Sequence, residues 1–290
     1  PIGVKDLEDA KGFVTTFGSE LHVNDPVAKA DSILVQRMRD QGCVILGKTN
    51  TPEFGHKGKT DNVPFGSTKN PWDLENSSGG SSGGTSSALA SGMIPLGTGS
   101  DGGGSIRIPA ALGGLAGIKT SQGRIPIGGD TPPGSGLLTV KGPMANTTKD
   151  NALALDATVG PHPTDIFSLE EDNINWFDQL NEDLPKTAIW SSTMGFSTVD
   201  KEVLDACEEA INSLANAGVE IIEKEDIWEE NPVDAWMVFW AAACARRQQH
   251  LIGTKEYEKI DPLLRYFIEM GTSMDAASYA SSIDACHKLG

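Results

Sequence analysis

Nineteen of the 33 glycines in this 290-residue chain fall between Gly79 and Gly142, and that crowding limits the possible folds more than any other feature. Glycine at such density means either a flexible Gly/Ser linker or tight turns with close backbone approach. Apolar residues decide between the two. Ile94, Leu96, Ile106, Ile108, Leu112, Leu115 and Ile118 are threaded through the segment, and a solvated linker lacks such anchors. The segment reads as tightly folded turns built around a site.

The rest of the composition narrows the function class. With 38% apolar residues the chain has enough material for a sizeable core. Forty acidic against 23 basic residues give a formal net charge of −17, the wrong sign for a surface that neutralises phosphates or adheres to anionic lipid. Neither nucleic acid nor membrane is an expected partner. The longest unbroken apolar run, Ala235 to Ala245, has 11 residues, against the roughly 20 that a spanning helix needs. Pro1 to Lys5 show no secretory n-region or h-region, so the expected location is the cytoplasm. Pro1 is not a natural start, and an N-terminal piece is expected to be missing. Cys43, Cys207, Cys244 and Cys286 lie far apart, with no C-x-x-C pair and no His at zinc spacing. They read as reduced, mostly buried thiols.

Residues 1 to 75 read as α/β. Asp25-Pro26 opens a helix in which Ile33, Leu34 and Met38 recur at helical spacing, and Gly42 closes it. Cys43-Val44-Ile45-Leu46 then reads as a strand buried on both faces. Beyond about 150 the chain turns acidic and more helical. Asp200 caps a helix whose apolar positions are Val203, Leu204, Cys207, Ile211 and Leu214, ending at Gly218 before a strand at Val219 to Ile222, with Lys186 to Trp190 as its neighbour. The run Glu170-Glu171-Asp172 and the Glu-rich stretch 220 to 230 read as solvated surface.

Three short motifs mislead. Gly42 to Thr49 matches G-x-x-x-x-G-K-[ST], but the four middle residues are an apolar strand and Pro52 comes too soon for a phosphate-binding helix. Gly97 to Gly102 matches G-x-G-x-x-G, but Asp101 would face any pyrophosphate. Gly80-Ser81-Ser82-Gly83-Gly84 matches the G-x-S-x-G elbow. However, the preceding residues read as loop rather than strand, and His162 and His250 read as surface residues rather than buried bases.

Over Gly79 to Ala110, GGSSGGTSSALASGMIPLGTGSDGGGSIRIPA, the chain closely resembles the amidase signature family. The motifs are the Gly79 to Gly84 start, Gly97-x-Gly99-x-Asp101, and Gly103-Gly104-Ser105-Ile106-Arg107-x-Pro109. Outside this core, Gly3-Val4-Lys5-Asp6, Gly47 to Phe54, and Gly142-Pro143-Met144 with Asp150 are similar to further landmarks of the family. The resemblance implies an α/β/α domain around a mixed central sheet, here a single domain over 1 to 290 that is incomplete at both ends. It also implies a site in which Ser105 is the nucleophile, Ser81 the bridging serine next to a cis peptide bond, and Lys5 the base. Gly102, Gly103 and Gly104 would surround the oxyanion, with no cofactor and no metal.

The chemistry suits those residue types. A lysine accepts a serine proton only if burial lowers its pKa from about 10.4 by several units, so Lys5 is expected to be desolvated and free of carboxylates. Asp101 and Arg107 are expected to tie the turn by hydrogen bonds. Lys48 is expected to be structural or near the pocket rather than catalytic, and Trp236, Met237 and Trp240 to be ordinary core packing, with lining of an acyl pocket as the alternative. Residues alone do not choose Lys5 over Lys48; the resemblance does.

The implied activity is hydrolysis of a small non-peptide amide through an acyl-enzyme, in a chain that could form homo-oligomers. One alternative is the A subunit of a glutamine-dependent tRNA amidotransferase, in which Thr-Gly-Gly-Ser is usual where Gly102-Gly103-Gly104-Ser105 stands here. The other is a non-catalytic binding module on the same fold. Two departures from the family, Gly117-Ile118-Lys119-Thr120-Ser121 without the usual proline and Asn146 for an arginine, bear on subfamily rather than on the triad.

Overall fold

The computed structural model describes residues 1–129, 138–171, 173–228 and 231–289. Asp172, Glu229 and Glu230, from the two acidic stretches, lie outside the described residues; Glu170 and Glu171 are exposed. The chain divides into two compact units, residues 1–180 with 239–274, and residues 181–238 with 275–290.

The first unit begins with β1 (Ile2–Lys5), α1 (Ile33–Asp40) and β2 (Ile45–Thr49). Two small hairpins follow, β3 (Asp61–Asn62) with β4 (Gly66–Ser67) and β5 (Lys69–Asn70) with β6 (Asp73–Ser77). Then come α2 (Gly83–Ala90), β7 (Leu96–Asp101), α3 (Arg107–Gly113), β8 (Ala116–Gly117), β9 (Val140–Ala145) and α4 (Thr148–Thr158). A five-stranded sheet runs in the order β2-β1-β7-β9-β8. β1 is parallel to β2 and β7, and β9 is antiparallel to β7 and β8, so the sheet is mixed.

Strand alternation distributes the side chains between two cores. Ile2 and Val4 pack with Leu34, Val35 and Met38 of α1 and with Ala154 and Leu155 of α4. Leu89, Ile94, Ile106, Ala110 and Met144 form the second core, beneath α2 and α3. Helices therefore cover both faces of the sheet, and the protein is α/β as expected.

Two local expectations need correction. α1 starts at Ile33, with the Ser32 hydroxyl accepting from Val35 N–H at 3.4 Å, rather than at Pro26. The backbone N–H groups of Ala28 and Ser32 donate to Phe13 and Asp9 carbonyls at 2.8 and 2.9 Å, which ties this segment to the loop after β1 and outweighs its helical start signal. β2 is not buried on both faces: it lies at the sheet edge, with Val44 and Leu46 61% and 58% exposed and Ile45 buried. An apolar run reports burial only when a neighbour covers each face.

α2 lies so close to the end of β2 that only glycine fits at its start. A Cβ at Gly84 would stand 2.1 Å from the Asn50 amide nitrogen and 2.6 Å from its carbonyl oxygen, both backbone atoms. Gly84→Ala is expected to cost about 3 kcal/mol or more through overpacking, seen as a lowered Tm or as loss of soluble protein.

In the second unit β10 (Thr187–Trp190) pairs in parallel with β11 (Glu220–Glu223), linked by α5 (Lys201–Asn216). Asp200 occupies the N-cap of α5, and Gly218, at φ +96°, makes the turn into β11. The helix matches its expected apolar positions, yet none of its residues is buried and Val203 is 54% exposed. α6 (Val233–Gln248), α7 (Pro262–Ser273) and α8 (Ala276–Leu289) complete the described chain. None of the described helices is long and apolar enough to cross a membrane.

Candidate active site

Lys5 ends β1, a strand buried along its whole length, and its side chain is fully buried. Ile2 and Val4 face the α1/α4 core, so alternation turns Lys5 toward the side where α2 begins. Its Nζ lies 2.7 Å from Ser81 Oγ, 2.9 Å from Ser82 Oγ and 3.0 Å from Ser100 Oγ. Among the described residues no carboxylate bonds to it. Burial, and after it the charge of Lys141, hold the Lys5 amine well below its ordinary range; Asp101 opposes this weakly.

The three hydroxyls suit both charge states. A neutral amine has two N–H donors and one lone pair, so it can donate to two serines while the third donates to it. An ammonium donates to all three. One hydroxyl must rotate when the proton moves, and no heavy atom needs to.

Ser81 and Ser82 reach Lys5 because the chain turns sharply between β6 and α2. The Gly80–Ser81 peptide is cis. A Cβ at Gly80 would stand 2.6 Å from Lys59 N and 2.7 Å from Gly58 C, so this turn packs directly on backbone. Ser82 occupies the N-cap of α2, where a serine hydroxyl ordinarily accepts from the first helical turn. Here it makes no capping bond, because its hydroxyl is turned to Lys5.

Ser105 follows β7 in the glycine turn and is 9% exposed. Its carbonyl accepts from Ser82 N–H at 3.2 Å, which sets the Ser105 backbone beside the Ser81-Ser82 turn. Its hydroxyl makes no hydrogen bond among the described residues. Asp101 shapes this turn. Fully buried at the end of β7, it accepts from Gly104 N–H at 2.7 Å, Ile106 N–H at 3.1 Å and Arg107 N–H at 3.3 Å, and from the Arg107 guanidinium at 3.0 Å through both Nε and Nη2. Burial pushes the Asp101 carboxyl up, but Arg107 and these N–H donors outweigh it and hold the group below its ordinary range.

The Gly104 N–H is therefore engaged by Asp101, whereas the N–H groups of Gly103 and Ser105 donate to no protein atom among the described residues. Of the three expected oxyanion glycines, Gly104 serves the turn itself, at φ +113°, and Ser105 adds an N–H that the sequence reading passed over. Gly102 packs under α6: a Cβ there would meet Thr139 Oγ1 at 2.8 Å and Trp240 Cζ3 at 3.2 Å. Trp240 thus packs against the glycine turn.

Asp101→Asn removes one charge from a pair with Arg107 and breaks the pattern of acceptors. The expected cost is about 3 kcal/mol, read as a lower denaturation midpoint.

The profile of the Amidase family matches residues 1–284. The chain belongs to the amidase signature family. It is 38% identical over 272 residues to the acylamidase of Rhodococcus erythropolis, covering 91% of this chain and 55% of that one. It is 37% identical over 226 residues to the A subunit of the glutamyl-tRNA(Gln) amidotransferase from a Picosynechococcus strain, covering 76% of this chain and 46% of that one. A solved bacterial aryl acylamidase of the amidase signature family superposes with a TM-score of 0.89 at 28% identity, over 97% of this chain and 60% of that one. The chain thus spans about half the length of these relatives, from 46% to 60%.

The other candidates fall where the family fold explains them. Lys48 pairs with Asp6 at 2.8 Å and donates to Thr15 Oγ1 at 3.0 Å, a structural role. Gly97 to Asp101 lies inside β7 instead of in a phosphate-binding turn. Residues expected to be loop before the elbow include β6, in a hairpin separate from the main sheet, and Ser82 is turned to Lys5. His162 is half-buried beside Thr164, and His250 is exposed. All four cysteines are free, but only Cys244 is buried, against the expectation that most would be. Among the described residues no group of three or more His, Cys, Asp and Glu could hold a metal ion.

Sequence reasoning missed Ser82 and Ser100 as partners of Lys5. Ser100 lies five residues before Ser105 within a strand, and nothing in its surroundings marks it.

Proposed function

We propose that the whole protein hydrolyses the C–N bond of small carboxylic amides through an acyl-enzyme on Ser105. The observation that carries this reading is a fully buried lysine amine, free of carboxylates, 2.7 Å from the Ser81 hydroxyl. The amine, held neutral by burial, accepts the Ser81 proton while Ser81 accepts that of Ser105, and the Ser105 oxygen attacks the amide carbon. The oxyanion takes hydrogen bonds from the Gly103 and Ser105 N–H groups, each such donor being worth about 3 kcal/mol in comparable enzymes. Ser81 then returns the proton to the departing nitrogen, breaking the C–N bond, and water releases the acid by the same route in reverse. The acylamidase relative supports an acyl amide as the substrate class.

The amidotransferase relative keeps a second reading alive, glutamine hydrolysis in the service of a partner protein. The Gly102-Gly103-Gly104-Ser105 turn, lacking the threonine usual in such proteins, favours the free amidase.

The test is labelling of the whole protein with a small fluorophosphonate, followed by peptide mass spectrometry. Label on Ser105 is expected. Label on Ser82, or none on a folded protein, would overturn the proposal, the second result leaving a binding role.

A further inference from the structure

The turn that carries Lys5 is held on both flanks by ion pairs. On one side Lys48 of β2 meets the Asp6 carboxylate, which also accepts from Thr16. On the other, Glu8 donates its N–H to the Lys5 carbonyl at 2.9 Å while its carboxylate meets Lys141 Nζ of β9. Glu8 is 6% exposed and the Lys141 side chain 12%.

Lys141 is the register partner of Ser100 across the β7–β9 ladder, and Ser100 Oγ is 3.0 Å from Lys5 Nζ. Directly paired residues stand on one face with Cβ atoms about 5 Å apart. A closed circuit results, running from the Lys5 amine through Ser100, across the ladder to Lys141, then to Glu8 and back to the Lys5 carbonyl.

We infer that the Lys141–Glu8 pair is a positioning device for the amine of Lys5, holding its turn against β9 and setting the charge balance at its nitrogen. The inference rests on the reading of Lys5 as the base. A buried ion pair is a poor way to gain stability, since well-packed apolar residues do as well or better. What an apolar pair cannot supply is a field at Lys5. The Lys141 charge opposes protonation of Lys5, and the Glu8 carboxylate, joined to the same turn, favours it.

The carboxylates nearest Lys5, after β1 and on β7, are paired with neighbouring elements. Asp6 is engaged by Lys48 of β2, and Asp101 of β7 by Arg107 of α3. α2 contributes no ionisable residue. Lys119 lies near Arg107 and Asp101, and burial, with the Arg247 charge of α6 after it, pulls the Lys141 amine down to about 7, so Lys141 carries its charge only below that pH. The Lys141–Glu8 pair is thus the adjustable one.

The test measures the rate of fluorophosphonate labelling at Ser105 against pH in the whole protein and in Glu8→Gln, Lys141→Met and the double variant. Removing the Glu8 carboxylate withdraws a negative charge that favours the Lys5 proton, so Lys5 loses it more readily and the midpoint falls by about one pH unit. Removing Lys141 moves it up by about as much, and the double variant returns close to wild type. Shifts in the same direction, or no shift in either single variant, would overturn the inference, because a merely structural clamp lowers rates without opposed midpoints. If Lys141→Met does not fold, Glu8→Gln decides alone: a fall upholds the inference and an unmoved midpoint sinks it. If Ser105 never labels, the proposed function has failed instead. The Lys5 titration is then read directly, from pH-dependent acetylation by acetic anhydride in the same variants, with the same opposed shifts expected.

Discussion

Ser105→Ala is expected to lower kcat/KM of the whole protein on an acyl anilide by about 10⁴-fold or more, while the thermal unfolding midpoint stays near that of wild type. On the proposed mechanism, loss of the nucleophile removes the covalent route, and the remaining groups supply only binding and electrostatic stabilisation. Stability changes little because the Ser105 hydroxyl makes no hydrogen bond among the described residues, so its removal orphans no partner. The carbonyl that accepts from Ser82 N–H belongs to the backbone and survives the substitution. Stopped assays with product quantified by chromatography, run beside calorimetry, test both halves. A variant that keeps a tenth of the activity would remove Ser105 from the mechanism.

Lys5→Met is expected to cost about 10³-fold or more in kcat/KM, and its pH dependence separates a base from a structural lysine. On the proposed mechanism the working form in the wild type is the neutral amine. Its pKa lies well below the ordinary lysine value, so activity rises as pH climbs through that lowered pKa. The variant loses this limb. Lys5→Arg does not restore it, because a guanidinium stays protonated throughout the accessible range. The same shift has a stability consequence whose sign is set by linkage. Between the folded pKa and the unfolded value near 10.4, the unfolded chain holds a proton that the native state lacks. Stability therefore rises with pH across that window and falls as pH drops toward the folded pKa. Lys5→Met removes this contribution, leaving the similar slope from Lys141, whose amine burial pulls down to about 7. Activity profiles and melts recorded over the same pH series provide the check, and an unchanged profile in Lys5→Met would sink the assignment.

The choice between Lys5 and Lys48 shows where sequence reading reached its limit. Both lysines follow apolar strands, and local pattern treats them alike. Only resemblance to the family singled out Lys5, and the tertiary partners supply the physical distinction: Lys48 has a carboxylate at 2.8 Å, whereas Lys5 has three serine hydroxyls. The glycine turn was read better. Asp101 and Arg107 were expected to tie it, and they do so through five hydrogen bonds. Its cost was not legible, namely that one of those bonds engages the Gly104 N–H. The expected helix from Pro26 failed for a related reason, since backbone bonds to the loop after β1 outweighed a local start signal.

By itself the sequence determined the α/β class, the glycine turns packed against apolar anchors, the α5-to-β11 succession to within about two residues, and the family to which the chain belongs. These depend on residue type and spacing along the chain, which periodicity, capping and motif report directly. Tertiary structure alone decided that β2 is an edge, that Ser82 and Ser100 serve Lys5, and that Lys141 meets Glu8 across 133 residues of sequence. Burial, charge pairing and hydrogen-bond partnership are properties of what surrounds a side chain, and at these positions the surroundings come from strands and turns distant in the chain.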